Sequence, residues 1–326
     1  MEGLLWFMAG LALLIGGAEL TVRGASRLAT LLSISPMVIG LTIVSIGTSA
    51  PELAVGITAG RQGDGALAVG NIAGTNVLNM MFILGLTALL RPLPLHLQIF
   101  KLELPVIVLA AVLMLALGWD GVFSALDGCL LLAVGLAYTV CLYFVTRRAS
   151  LQAKQEYQEE YGPETLPPST SARSIGIWNA VLLCFGLVLL VLGADWLVHG
   201  AVSIAKAVGT SETIIGLTIV AIGTSAPELV TTIIGTYKND REVAVGNLLG
   251  SSIYNIVVIL AITCIVSPGG LPVADQLLRF DIPVMALVAL GAVPVFITGR
   301  CVSRLEGGIG VGLYLVYLSW LVFVRS

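Results

Sequence analysis

Ten times along this chain a run of about 20 residues passes with almost no charge, the length a helix needs to cross a ~30 Å hydrocarbon core. The runs fall at 3–22, 36–59, 66–90, 102–119, 122–146, 175–198, 213–236, 243–266, 279–298 and 305–324. A helix satisfies its own backbone groups, which lipid cannot do. Charged residues make up 11% of the chain, against about 25% in soluble proteins, so no charged shell is available to face water. The expected fold is all-α and polytopic, with ten transmembrane helices and the lipid bilayer as solvent.

The first run is longer than a signal-peptide core, and its nearest positive charges, Arg23 and Arg27, follow it, so it is expected to be a retained span. The five cysteines lie in or beside apolar runs without CxxC spacing and act as small hydrophobes. A net charge of −3 gives no argument for nucleic acid. No obligatory protein partner and no cofactor is indicated. With the N-terminus outside, twelve Lys and Arg fall in cytoplasmic connections and four outside, which satisfies the positive-inside bias. Both termini are then external, and the short loops suit a prokaryotic cell membrane.

Shifted by 176 residues, the chain matches itself. GAELTVRGAS at 17–26 meets GADWLVHGAV at 193–202, GLTIVSIGTSAPEL at 40–53 meets GLTIVAIGTSAPEL at 216–229, and VGNIAGTNVLN at 69–79 meets VGNLLGSSIYN at 245–255. Each copy carries five runs, so the second must enter the membrane inverted, a plan that secondary transporters use with the substrate site at the midplane. The division is 1–146 for the first repeat, 147–174 for a polar cytoplasmic linker and 175–326 for the second repeat. Glu156, Glu159, Glu160 and Glu164 in that linker are expected to be a solvated acidic face rather than a regulatory cation site.

Each IGTSAPEL places a glutamate, Glu52 or Glu228, directly behind a proline in apolar surroundings. A carboxylate at a helix centre costs about 2.5–3.5 kcal/mol. No Lys or Arg lies between 40 and 60, between 216 and 237, or in the spans 67–90 and 243–266. With no resident base in these segments, the counter-charge is expected to be a mobile cation. Pro51 and Pro227 have no N–H for the carbonyls of Gly47 and Gly223, so the helices should kink or break. Freed carbonyls, the hydroxyls of Thr48, Ser49, Thr224 and Ser225, and the carboxylates form an all-oxygen set. Such a set suits Ca²⁺, which takes about 6–8 oxygens, and Na⁺ by similar hardness. A softer metal would call for Cys or His, and His96 and His199 lie near span ends. Thr75 and Asn79, like Ser251 and Asn255, stand four apart on one helix face. Gly70 and Gly74, and Gly246 and Gly250, have the spacing that lets helices approach closely. Asn71, Asn76 and Asn247 serve either the site or the broken helix.

These doubled motifs resemble the two alpha-repeat signatures of the calcium/cation antiporter superfamily, in particular its prokaryotic sodium/calcium exchangers. The resemblance covers the chain apart from the linker. It implies that the second, third, seventh and eighth helices cluster around the ions, and that the outer first and sixth slide across the rest. It implies as ligands Thr48, Ser49, Glu52, Thr75 and Asn79 from the first half and Thr224, Ser225, Glu228, Ser251 and Asn255 from the second. Backbone carbonyls at Ser45 and Ala221 complete the set. Some family members carry an aspartate where this chain has Asn255, so only two carboxylates remain, enough to neutralise one Ca²⁺ or two Na⁺.

The expected function is exchange of Ca²⁺ for Na⁺ by alternating access, the empty doubly charged site being too costly to reorient. A proton-coupled or K⁺-dependent exchanger on the same scaffold is the alternative. An intramembrane hydrolase using Ser49 or Ser225 lacks an activating His or Lys within the spans. A scaffold that transports nothing would tolerate Glu52→Gln. Glu19 is expected to pair with Arg23 one turn on, Asp195 to be structural, and Glu103 and Asp281 to cap helices.

Overall fold

A computed structural model describes residues 2–94, 99–161, 170–207, 221–299 and 301–325. Among these, eight helices are long and apolar enough to cross a membrane, and a ninth span arises if one bent pair is counted together. In chain order the helices are α1 (Glu2–Leu32), α2 (Pro36–Thr48), α3 (Ala50–Gln62), α4 (Gly65–Leu90), α5 (Lys101–Asp120), α6 (Ala125–Tyr161), α7 (Thr170–Ala207), α8 (Ala226–Tyr237), α9 (Arg241–Val266), α10 (Leu277–Phe296) and α11 (Arg304–Arg325). The seventh expected span begins in residues 208–220, outside the described ones; its described part is the short helix Ala221–Thr224 and α8. The polar segment expected as a linker is largely helical, because α6 continues to Tyr161 and α7 begins at Thr170.

Local sequence sets the breaks. Ser35 accepts from Met37 N at 3.2 Å and Pro36 opens α2, the preferred N-cap and first-turn residues. Gly63 at φ 72° ends α3, and Asp64 accepts from Leu67 N at 2.9 Å to start α4, so a left-handed glycine and an N-cap turn the chain back within a few residues.

The molecule is layered around α4 and α9. In these two, 72% and 78% of the most apolar window is buried, against 39% or less in the other long spans. Val69, Ile72, Leu248, Leu249 and Leu260 belong to the one large core cluster they share. The two halves also interlock at their ends. Strand β1 (Leu93–Pro94) pairs antiparallel with β4 (Cys301–Val302), and β2 (Val122–Phe123) with β3 (Leu271–Pro272). Each Leu-Pro strand therefore pairs with a strand of the other half.

Two side-chain expectations are corrected. Glu19 pairs not with Arg23 but with Lys238, 2.5 Å away and 219 positions along the chain. Glu103 makes no side-chain cap bond at the start of its helix; Asp281, expected in the same role, accepts from Tyr317 Oη at 2.9 Å. For Glu19 and Asp281 a tertiary neighbour is present that helical spacing cannot reveal.

Candidate ion-binding site

The site begins with two equivalent bends. The chain turns by 44° between α2 and α3, about a non-helical Ser49 at φ −82°, ψ 12°. Ser225 takes up φ −88°, ψ 8° between Ala221–Thr224 and α8. Pro51 and Pro227 then lie in the first turn of α3 and α8, where a missing N–H is harmless. The residue behind each is a glutamate, also in the first turn, where the positive end of the helix dipole favours a carboxylate. The motif thus carries its own electrostatic support for an acid deep in the protein.

Glu52 and Glu228 are fully buried, and their hydrogen bonds cross between the halves. Ser49 Oγ donates to Glu228 Oε1 at 3.1 Å, and Ser225 Oγ lies 3.3 Å from Glu52 Oε1. Thr48 and Thr224 are within hydrogen-bonding reach of the same opposing carboxylates. Ser225 Oγ is also 3.3 Å from Thr75 Oγ1. Ser251 Oγ is 3.3 Å from Glu228 Oε1 and 3.5 Å from the carbonyl of Ser45. Among the described residues no lysine or arginine pairs with either glutamate.

Of the residues singled out from sequence, Ser45, Thr48, Ser49, Glu228 and Ser251 therefore form one hydrogen-bonded group, and Glu52, Thr75, Thr224 and Ser225 form a second. Asn79 and Asn255 are fully buried one turn beyond Thr75 and Ser251, within or at the start of the π-helical stretches Leu78–Ile83 and Asn255–Leu260. Such wide turns recur at functional sites. Ala221 opens the short helix before the second bend.

Several atoms around these two groups have no partner. Glu52 Oε2, Glu228 Oε2 and both side-chain polar atoms of Asn79 and of Asn255 are buried without a hydrogen bond. Each such group costs about 1–3 kcal/mol unless something meets it. Four of the six are oxygens, the donor type hard cations take.

Tertiary packing separates the three remaining asparagines. Asn247 Oδ1 accepts from Thr48 Oγ1 at 3.0 Å, which holds the hydroxyl in the site. Asn76 Nδ2 instead donates to Ile72 O of its own helix at 2.9 Å. Asn71 Nδ2 is buried without a partner. Thr231 and Thr232, one turn beyond Glu228, are buried with unpartnered hydroxyls. They were not singled out from sequence. The available signal was the contrast with Val55 and Gly56 in the other half.

The glycines of the second motif make the geometry possible. A Cβ on Gly246 would meet Met37 O at 2.4 Å, and one on Gly250 would meet Leu41 O at 2.5 Å. The backbones of α2 and α9 therefore touch, and Asn247 and Ser251 reach Thr48 from positions next to those glycines.

Comparison with known proteins shows the family and the fold. The family model described as sodium/calcium exchanger protein matches residues 2–147 and 178–323. The putative antiporter CaxA of Alkalimonas amylolytica is 37% identical, with 98% of each chain covered. The sodium/calcium exchanger MaX1 of Methanosarcina acetivorans is 30% identical, with 97% of each chain covered. Among solved structures, the sodium-calcium exchanger NCX_Mj superposes with a TM-score of 0.82 at 27% identity, covering 98% of this chain and 99% of its own. Two carboxylates that exchange serine donors across a base-free membrane interior, in a chain matched along nearly its whole length, mark a cation exchanger: the protein belongs to the sodium/calcium exchanger family.

Proposed function

We propose that this protein exchanges Ca²⁺ for Na⁺ by alternating access, with both ions bound as substrates between Glu52 and Glu228. Membership of the family makes it a cation antiporter of the membrane rather than an enzyme. The observation that carries the ion reading is the set of orphaned oxygens on Glu52, Glu228, Asn79 and Asn255 around the crossed Ser–Glu bonds. The hydroxyls of Thr48, Ser49, Thr75, Thr224, Ser225 and Ser251 and the carbonyls of Ser45 and Ala221 complete the ligand set. One Ca²⁺ or two Na⁺ neutralise the two acids and allow the site to reorient. Vacant, it carries two buried charges and stays where it is, so transport is obligatory exchange.

The ten spans form two inverted repeats, 1–146 and 175–326, joined through 147–174. The interlocked strand pairs, one Leu-Pro strand from each half, support this symmetry. The termini lie outside and the joining segment in the cytoplasm, as the distribution of Lys and Arg favours.

The test is ⁴⁵Ca²⁺ uptake into proteoliposomes with Na⁺, K⁺ and pH gradients imposed separately. An outward Na⁺ gradient alone drives uptake. Uptake that follows only the pH gradient would replace Na⁺ with protons in this scheme.

A further inference from the structure

A hydroxyl on a helix in apolar surroundings commonly donates to the carbonyl four residues back. Thr87, Thr236, Thr263 and Ser267 do so here, to Ile83 O, Thr232 O, Ile259 O and Thr263 O at 2.6–2.8 Å. Thr231 and Thr232 do not. Both are fully buried, and neither hydroxyl has a hydrogen-bond partner. A buried hydroxyl left unmet is costly, so two in succession call for something that meets them.

Their position ties them to the ion site. They follow Glu228 by three and four residues on α8 and share its side of the helix. Val230 and Ile234 take another face, packed against Leu14 and Ala18 of α1. Helix α8 also contacts the π-helical stretch Leu78–Ile83 of α4. That stretch carries Asn79, whose Oδ1 is buried without a partner, as is Glu228 Oε2. Two touching elements therefore hold four unmet oxygens.

The internal repeat shows that the fold does not need these hydroxyls. A shift of 176 residues sets Thr231 on Val55 and Thr232 on Gly56. A Cβ on Gly56 would meet Thr263 Oγ1 at 2.5 Å, and one on Gly60 would meet Ser267 Oγ at 2.5 Å. Beyond Glu52 the helix is thus closed against the end of α9 and offers no side-chain oxygen at the equivalent positions. The bend and its glutamate form either way, and the hydroxyl pair is an addition on the Glu228 side alone.

We propose that Thr231 and Thr232, with Glu228 Oε2 and Asn79 Oδ1, form a further cation subsite that takes Na⁺ and not Ca²⁺. Four oxygens carrying at most one negative charge fall short of the about 6–8 that Ca²⁺ takes, and they match a hard monovalent ion. The inference rests on the exchange reading above and adds two residues to it. The ion site is then lopsided, with a place for Na⁺ beside Glu228 that has no counterpart beside Glu52.

The test follows ion-dependent thermal stabilisation of the full-length protein in detergent, titrated separately with Na⁺ and with Ca²⁺ in choline buffer. Thr231→Val and Thr232→Val keep the side-chain size and remove the hydroxyl. Each raises the Na⁺ midpoint about threefold to tenfold, the loss of one polar contact, and leaves the Ca²⁺ midpoint within about twofold. Thr232→Ser, which keeps the hydroxyl, keeps the Na⁺ midpoint of the unsubstituted protein. A hydroxyl with only a structural role would change the melting temperature without ions and leave the Na⁺ midpoint where it is. Unmoved Na⁺ midpoints in the folded valine variants overturn the subsite, and so does an equal shift for Ca²⁺. Should a valine variant not fold, Thr231→Ala and Thr232→Ala take its place with the same expectation. An unsubstituted protein that responds to Ca²⁺ but not to Na⁺ overturns the exchange reading and the subsite together. A Na⁺ response that the variants share unchanged overturns the subsite alone.

Discussion

Ser49 belongs to the first half of the chain, yet its hydroxyl donates to Glu228 of the second, at 3.1 Å. The reciprocal contact, Ser225 with Glu52 at 3.3 Å, makes each bend the support for the other half's acid. Neither half alone assembles the site.

Because Ser49 acts through Glu228, Ser49→Ala and Glu228→Gln are expected to be non-additive. A double-mutant cycle on Ca²⁺ binding should return a coupling of about 0.5–3 kcal/mol. Ser49→Ala paired with Glu52→Gln should show weaker coupling. Equal coupling in both cycles would contradict the crossed arrangement.

Replacing either carboxylate leaves Ca²⁺ half neutralised in a buried site. Glu52→Gln or Glu228→Gln should weaken Ca²⁺ binding roughly tenfold to a hundredfold, the worth of about 1.5–3 kcal/mol for interactions with a charged group. Exchange flux should be lost while the detergent-solubilised protein keeps its elution volume on gel filtration.

Asn255 stands where some family members carry an aspartate, and its side chain is buried with both polar atoms unpartnered. Asn255→Asp adds a third acid, which lets the site neutralise a further Na⁺. The Na⁺ dependence of Ca²⁺ efflux should become steeper, with a higher Hill coefficient. An unchanged coefficient would place Asn255 outside the ion set.

The glycines of the GN motifs differ in what surrounds them. Gly246→Ala puts a Cβ 2.4 Å from Met37 O, so it should force α2 from α9 and cost about 1–3 kcal/mol, as overpacking does. Melting temperature and transport should both fall. Gly74 has nothing within 4 Å of the added Cβ, and Gly74→Ala should melt close to the unsubstituted protein.

Chain order alone determined the membrane class, the repeated GTSAPE and GN motifs, and the absence of Lys or Arg beside Glu52 and Glu228. Each of these is a matter of composition or spacing, and a lone buried carboxylate is costly wherever the chain folds. Which serine serves which glutamate, the role of Asn247 at Thr48 and the pairing of Glu19 with Lys238 were decided only by tertiary structure. These contacts join residues 173 to 219 positions apart. Helical periodicity reports only which residues share a face. Which face meets which is settled by close backbone approach at glycines such as Gly246 and Gly250, and by how the two halves interlock.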